Sequence, residues 1–372
     1  MSVDGRFRVG LVGLQEGRSW GARAHVPALR ALSDQFDIVG VANTSLASST
    51  RAADALQIPR AFPGVAELVA SPEIDVVAIT VKVPHHFEIV KAAIGAGKHV
   101  YCEWPLGNGL QETEAMRDLA QRAGVRAVVG TQAQLAPEIV EMQRLVAQGQ
   151  IGQVLSSTLV GSGYRWGAEV DAYNVYLLDN ANGATLLTIP FGHTLAAVRS
   201  VLGEVDEVSA RVMNRRTRAT LVGTGDVLAM TAPDQLLAHA VMKGGVPLSI
   251  HYRGGTTKGT GLLWEINGTE GDLQLTGSMG HPQMIQLSLK ASRDSAMTAV
   301  SVAPQAGMPV DPAVGNVARA YSLMASDLRT GTTLAPSFDD AVRLQRVIAA
   351  IEESAASGAR SIAVRSDEPV AA

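Results

Sequence analysis

The most constraining feature of the chain is the rhythm of its first third, where short apolar runs alternate with helix-like segments. Residues 7–14 (FRVGLVGL), 36–43 (FDIVGVAN), 76–81 (VVAITV), 99–102 (HVYC) and 126–130 (RAVVG) are short, rich in β-branched side chains and apolar on both faces. Strands of that kind need cover on each side, as a parallel sheet provides. Helix-like stretches at 24–33, 45–56, 86–96 and 111–123 fall between them, with Gly97 and Gly124 as stops. This succession, with its short connections, predicts a doubly wound α/β domain over residues 1–131.

The rhythm changes after residue 131. A helix-like stretch at 137–148 ends at Gly149 and Gly152, and strand-like segments then dominate at 154–161, 205–212, 235–242, 247–252, 262–267 and 284–289. Turn residues such as Lys243-Gly244-Gly245 and Asn267-Gly268 separate them. Helical patterns at 314–329 and 337–356 close the chain, with Gly358 as a stop. Residues 132–372 are therefore expected to form an α+β domain with an open, largely antiparallel sheet, serving substrate binding and oligomerisation. A length of 372 residues suits two domains. An open sheet face and its edges invite a second copy, so a homo-oligomer, dimer or tetramer, is expected.

Composition narrows the partners. With 47% hydrophobic and 18% charged residues there is ample material for a core, which excludes disorder as the main state. The net charge of -4 is opposite in sign to a phosphate-binding surface, so no nucleic-acid partner is expected. Cys102 is the single cysteine, which excludes an intramolecular disulfide and a cysteine-cluster metal site. No His/Asp/Glu spacing indicates a metal either. No apolar run approaches the roughly 18 residues of a membrane span, and no basic-then-apolar leader is visible. The expectation is a cytoplasmic protein with no membrane partner.

The turn after the first strand carries Gly13, Gly17 and Gly21, with Leu14 and Trp20 between them. Glycine there lets the backbone approach a pyrophosphate, and the following helix offers free N–H groups at its start. The spacing is wider than G-x-G-x-x-G, as if the loop carried an insertion. Its place between a buried strand and a helix supports a Rossmann-type dinucleotide site. The second strand ends Asn43-Thr44-Ser45, without the carboxylate that would repel a 2′-phosphate. Thr44, Ser45 and Arg51 are candidate phosphate contacts, Arg51 being alternatively a solvated helix-face arginine. The cofactor is NAD(P), leaning toward NADP.

Three further stretches carry a family resemblance. Val83-Pro84-His85-His86, Tyr101-Cys102-Glu103-Trp104-Pro105 and Ile266-Asn267-Gly268-Thr269-Glu270-Gly271, together with the first loop, resemble the glucose–fructose oxidoreductase/inositol dehydrogenase (Gfo/Idh/MocA) family. The resemblance covers nearly the whole chain. Glu103-Trp104, residues 188–194 (TIPFGHT) and 233–237 (PDQLL) resemble the branch that includes the fungal galactose-regulon repressor, a non-enzymatic dinucleotide-binding regulator. The resemblance implies NAD(P) on the first domain and a sugar- or polyol-like small molecule at the crevice facing the second. Val81, His86, Glu103 and Trp104 are the expected cofactor-side residues, His86 as a helix-start pocket lining, Glu103 in a structural or cofactor-orienting role and Trp104 packed beside the nicotinamide.

Two chemical positions depart from the family pattern. Its Glu-Lys-Pro lysine is replaced by Trp104, which cannot carry a proton. Its Asp four residues before a histidine is replaced by Ile189, while the histidine itself is matched by His193. His193 can exchange a proton with a substrate hydroxyl near neutral pH. Tyr164 and Lys82 are the alternative catalytic groups, Lys82 also reading as a cofactor contact or an exposed strand-end lysine. Trp104, Tyr164, Trp166, Asp179 and His193 are the expected substrate contacts, and Asp179 matches an acid of the repressor branch. The leading expectation is an NAD(P)-dependent oxidoreductase acting on a hydroxyl or carbonyl carbon. The alternative is a dinucleotide-sensing regulator without turnover.

Overall fold

The computed structural model describes residues 5–293 and 296–365, which divide into two compact units. The first unit comprises residues up to Gln132 together with Gln305–Val342. Its sheet contains β1 (Phe7–Val12), β2 (Phe36–Ala42), β3 (Arg60–Phe62), β4 (Val76–Ile79), β5 (His99–Glu103) and β6 (Ala127–Gly130), in the order β3-β2-β1-β4-β5-β6, all parallel. That order is the doubly wound dinucleotide-binding arrangement, whose ligands sit at the carboxyl ends of the strands where the order reverses. Every residue of β4 and of β6 is buried, which is why these strands read as unbroken apolar runs.

Helices α1 (Val26–Ala31), α2 (Leu46–Leu56), α3 (Val65–Ala70), α4 (His86–Gly95) and α5 (Leu110–Ala123) alternate with the strands. The short pair β3 and α3 has no counterpart in the sequence expectation. A longer difference lies at the other end of the chain. The helix Pro312–Thr330, expected with the second domain, belongs to the first unit. Its Tyr321 ring stacks on Tyr101 at 4.6 Å and meets Phe36 edge-on at 5.4 Å. Val317, Ala318, Met324 and Ala325 complete its buried face.

The second unit comprises Ala133–Pro304 and Arg343 onward. It contains α6 (Pro137–Ala147) and strands β7 (Val154–Ser162) and β8 (Glu169–Val170), then α7 (Gly192–Leu202), β9 (Val205–Met213), β10 (Arg218–Leu221) and β11 (Val227–Ala229). There follow β12 (Gln235–Met242), β13 (Pro247–Arg253), β14 (Leu262–Gly268), β15 (Asp272–Gly277), β16 (Leu287–Ser292) and β17 (Thr298–Ala299). With α8 denoting the Pro312–Thr330 helix above, α9 (Phe338–Ala356) and β18 (Ile362–Ala363) end the described chain. Nine strands form one sheet in the order β17-β16-β15-β14-β7-β13-β12-β9-β18, antiparallel except where β7 meets β13. The expected strand at 284–289 is displaced, because Pro282–Met284 forms a 3-10 turn and the strand starts at Leu287.

The segment Asn180–Leu202 is long and apolar enough to meet a membrane span on length and composition, contrary to the sequence expectation. Its most apolar window is 78% buried inside the protein, which marks a core helix. Phe191, Leu195, Ala197 and Val198 are among its buried side chains.

Candidate functional site

The first unit builds a cradle at the end of β1. Gly13 has φ +95°, and a Cβ there would stand 2.5 Å from Val81 Cγ1 and 3.2 Å from the Val81 nitrogen. The loop must therefore cross the end of β4 at a glycine. Asn43, at the end of β2, fixes that loop from the other side: its Oδ1 accepts from the Leu14 N–H at 2.9 Å and its Nδ2 donates to the Leu14 carbonyl at 2.8 Å. The Leu14 side chain itself is core.

The wide glycine spacing has a simple local cause. Residues 15–19 form a turn of their own, closed by Ser19, whose Oγ accepts from the Gln15 N–H at 2.8 Å and whose N–H donates to the Gln15 carbonyl. Gly17 (φ +68°) shapes that turn, with nothing within 4 Å of a Cβ. The next glycine that close packing demands is Gly21, where a Cβ would stand 2.4 Å from Thr80 Oγ1 and 2.5 Å from Leu14 Cδ2. The helix opens with a π-turn, Gly21–His25, that runs directly into α1 and has no side-chain cap at Trp20. Such turns recur at functional sites. Trp20 Nε1 is buried without a hydrogen-bond partner. An uncapped helix start behind a glycine crossing fits a pyrophosphate.

The π-turn also turns His25 inward. Its Nε2 meets Glu103 Oε1 at 2.9 Å, and its Nδ1 meets the Tyr321 hydroxyl at 2.8 Å. Gln132 Nε2 donates to Glu103 Oε1 at 2.6 Å and to the Tyr101 hydroxyl at 2.9 Å. Glu103 is thus the centre of a buried network, in which His25 and Gln132 both meet its Oε1. Burial holds the Tyr101 and Tyr321 phenols well above their ordinary pKa. His25 has no motif around it and was not among the expected residues.

The remaining cofactor-side expectations separate. Thr44, Ser45 and Arg51 are exposed, and Ser45 caps α2 by accepting from Ser48 N–H. Lys82 is exposed at the start of the turn Val83–His85. Both nitrogens of His86 are engaged by backbone: Nδ1 faces the Pro105 carbonyl at 2.9 Å and Nε2 the Val81 carbonyl at 3.0 Å, with the residue 1% exposed. It ties the segments after β4 and β5 together. Trp104 is 5% exposed and precedes a cis peptide to Pro105.

The second unit holds a different kind of cluster. His193, in the first turn of α7, is 1% exposed and His281 is 5% exposed. Their rings lie 5.1 Å apart at 34°, and the Tyr164 ring is 6.3 Å from His281. Neither histidine Nδ1 has a hydrogen-bond partner. Burial, with a smaller contribution from the neighbouring His281, pushes His193 well below the ordinary histidine pKa. Burial pushes His281 down to about 3. Both rings are neutral at physiological pH. Before His193 the helix contains a second π-turn, Leu187–Phe191, with Pro190 inside it. His281 escaped the sequence reading because a lone histidine in Gly280-His281-Pro282 carries no motif.

Two expected substrate contacts take structural roles. Trp166 is buried and its Nε1 donates to the Leu177 carbonyl at 3.0 Å. Asp179 is exposed and caps the turn Asn180–Asn182, accepting from the Ala181 N–H at 3.0 Å. Tyr164 stays with the histidines; Arg165 lies over its ring at 4.7 Å while pairing with Asp171 at 2.5 Å.

The lowered His281 pKa has a consequence for stability. The unfolded chain binds a proton near pH 6.5 that the folded chain refuses until about pH 3. This contribution is therefore whole above pH 6.5 and lost as pH falls from 6.5 toward 3. Between pH 7 and pH 5 it amounts to about 2 kcal/mol. Urea denaturation of His281→Gln should show a pH-7-to-5 loss smaller than the parent's by about that amount. An unchanged loss would mean that His281 is not held neutral.

A Rossmann unit with a glycine cradle, joined to an α+β unit with a largely antiparallel sheet, is the build of an oxidoreductase family with an NAD-binding fold. The chain belongs to the Gfo/Idh/MocA family: residues 7–131 match its model, described as an oxidoreductase family with an NAD-binding Rossmann fold. Residues 137–277 match the model of the Gal80p C-terminal domain. The galactose/lactose metabolism regulatory protein GAL80 of Kluyveromyces lactis is 32% identical over 305 residues, covering 76% of this chain and 66% of that protein, so the match spans just under two thirds of the relative. Dehydrogenase aclE of Aspergillus oryzae is 30% identical over 283 residues, covering 73% of this chain and 77% of that protein. The crystal structure of a super-repressor mutant of Gal80p from Saccharomyces cerevisiae superposes with a TM-score of 0.88 at 28% identity, covering 96% of this chain and 98% of that one.

Proposed function

We propose that this protein is an NAD(P)-dependent oxidoreductase that moves hydride to or from a hydroxyl- or carbonyl-bearing carbon of a sugar, polyol or similar cyclic molecule. The observation that carries this reading is the pair of buried imidazoles in the second unit, each with an Nδ1 that has no hydrogen-bond partner. An unpaired buried polar atom costs roughly 1–3 kcal/mol, a burden that a bound substrate oxygen removes. The nicotinamide, when bound, supplies the hydride acceptor or donor. His193 takes the hydroxyl proton as the carbonyl forms, and returns it in the reverse direction. Tyr164 orients the substrate oxygen through its phenol. Lys82, exposed at the end of β4, is the alternative proton carrier.

A second reading rests on Trp104 and Ile189, which remove the family's usual lysine and aspartate. Together with the similarity to the galactose regulators, they support a dinucleotide-sensing regulator without turnover. A screen of sugars, polyols and cyclic ketones with both nicotinamide cofactors separates the two. Turnover supports the oxidoreductase; tight dinucleotide binding with no turnover supports the sensor.

The cofactor we propose is NADP in preference to NAD. Asn43 stands at the end of β2 and spends its amide on Leu14, so no carboxylate opposes a 2′-phosphate, and Arg51 is exposed on α2. NADPH should bind at least as tightly as NADH in a fluorescence titration, and Arg51→Ala should weaken NADPH alone. NADH favoured by more than about tenfold, or about 1.4 kcal/mol, would overturn the preference.

A further inference from the structure

Buried histidines in this chain fall into two groups. His25 and His86 have hydrogen-bond partners at both ring nitrogens and serve as internal ties. His193 and His281 are as deeply buried, yet each leaves Nδ1 without a partner. A structural histidine is normally satisfied, since an orphaned polar atom in the interior is a standing cost. Two such orphans on neighbouring rings leave hydrogen-bonding capacity that a ligand can take up.

The segment that carries His281 is rigidly placed. The Gly280 N–H donates to the Ser162 carbonyl at 2.7 Å, at the end of β7. A Cβ at Gly280 would stand 2.6 Å from the Ser162 nitrogen, so this contact requires glycine. Pro282 follows and opens a 3-10 turn, in which the Met284 N–H donates to the His281 carbonyl at 3.0 Å. His281 is thereby held beside the first turn of α7, where His193 sits.

We propose that His281 is a second substrate-binding residue, and that the His193–His281 pair receives two adjacent oxygens of one uncharged ligand, a vicinal diol or the corresponding hydroxyketone. The proposal rests on the oxidoreductase reading for its substrate, but the recognition itself does not require turnover. Rings 5.1 Å apart suit neighbouring oxygens on one carbon skeleton better than two separate molecules. A neutral imidazole offers either an N–H or a lone pair, which matches hydroxyl and carbonyl oxygens equally. A carboxylate is a poor occupant. The rings in contact with the pair are each other and Tyr164, and Arg165 over the Tyr164 ring is engaged by Asp171. Burial keeps both rings uncharged, so an anion finds no full positive charge.

The test uses the full chain saturated with NADPH and three probes: cis-cyclohexane-1,2-diol, cyclohexanol and cyclohexanecarboxylate. Calorimetry gives the affinities, and NMR follows the Cε1–H resonances of both histidines. The diol should bind the parent at least about tenfold more tightly than cyclohexanol and shift both resonances. In His281→Ala that preference should shrink below about threefold, with His193 still shifted and NADPH affinity unchanged. His281→Gln, which keeps a side-chain hydrogen-bonding group, should regain part of the preference. An undiminished diol preference in His281→Ala, no shift at His281 in the parent, or tighter binding of the carboxylate would each overturn the assignment. Diol binding at both histidines, with no reduction of NADP+ when NADP+ replaces NADPH in a parallel incubation, would leave the assignment standing and count against the oxidoreductase reading.

Discussion

His193→Ala should lower kcat by about 10²–10⁴-fold while leaving NADPH affinity within about twofold of the parent. The range is that of losing one general acid–base group. His193 is the family-motif histidine, it lies in the first turn of α7, and its Nδ1 has no competing partner. Of the residues at the family's chemical positions, Trp104 and Ile189 carry no titratable group. His193→Asn should be nearly as slow, because an amide keeps hydrogen bonding but takes up no proton at neutral pH. Both substitutions replace a side chain that is 1% exposed, so thermal unfolding and NADPH titration must accompany the rate measurement. Activity within about threefold of the parent in both variants would remove His193 from the proton path and move the role to Tyr164 or Lys82. The pH profile gives an independent check: burial keeps His193 neutral, so oxidation of an alcohol should not require deprotonating it above pH 6.5.

Much of the first unit is legible because parallel strands covered on both faces leave uninterrupted apolar runs. β1, β4 and β6 announce themselves in this way. β3 does not: it is three residues long and starts at an exposed arginine, Arg60. In the second unit β12 alternates between buried and exposed positions and is readable from its period of two. The small sheet β11-β10-β8 is made of strands of two to four residues with mostly exposed positions, too short for any period. The placement of α8 is illegible for another reason. Periodicity shows that Tyr321 and Met324 share a face, but it cannot say which core that face joins.

The site divides along the same line. His193, Tyr164 and the glycine loop are candidates that motif and position alone single out. His281 and His25 are not legible in the sequence, because their surroundings come from spatial neighbours, Tyr164 and His193 in one case, Glu103 and Tyr321 in the other. The converse case has the same origin. Trp166, Asp179 and His86 are residue types that pockets use, but the same indole N–H, carboxylate and imidazole also tie or cap backbone. Sequence shows the chemical type of a group, and only the fold shows which partner has claimed it.

The two left-handed glycines of the first loop now make a discriminating pair. Gly13 and Gly17 have φ of +95° and +68°, so alanine at either position costs about 1–2 kcal/mol of backbone strain. They differ in what surrounds them. A Cβ at Gly13 meets Val81 Cγ1, the Val81 nitrogen and the Thr80 carbonyl carbon at 2.5, 3.2 and 3.3 Å, whereas one at Gly17 meets nothing within 4 Å. Two of the three atoms facing Gly13 are backbone of the β4 end, so the loop must lift away from the strand ends, where the fold binds its dinucleotide. Gly13→Ala should therefore weaken NADPH binding by at least about 100-fold, and Gly17→Ala by less than about threefold. Gly13→Ala combined with Val81→Ala removes the 2.5 Å contact and should recover part of the loss, which separates a displaced loop from a destabilised fold. Calorimetry on the three variants, with melting temperatures alongside, decides it. Equal losses at Gly13 and Gly17 would place the pyrophosphate over the 15–19 turn, and undiminished binding in Gly13→Ala would remove the β1 cradle as the dinucleotide site.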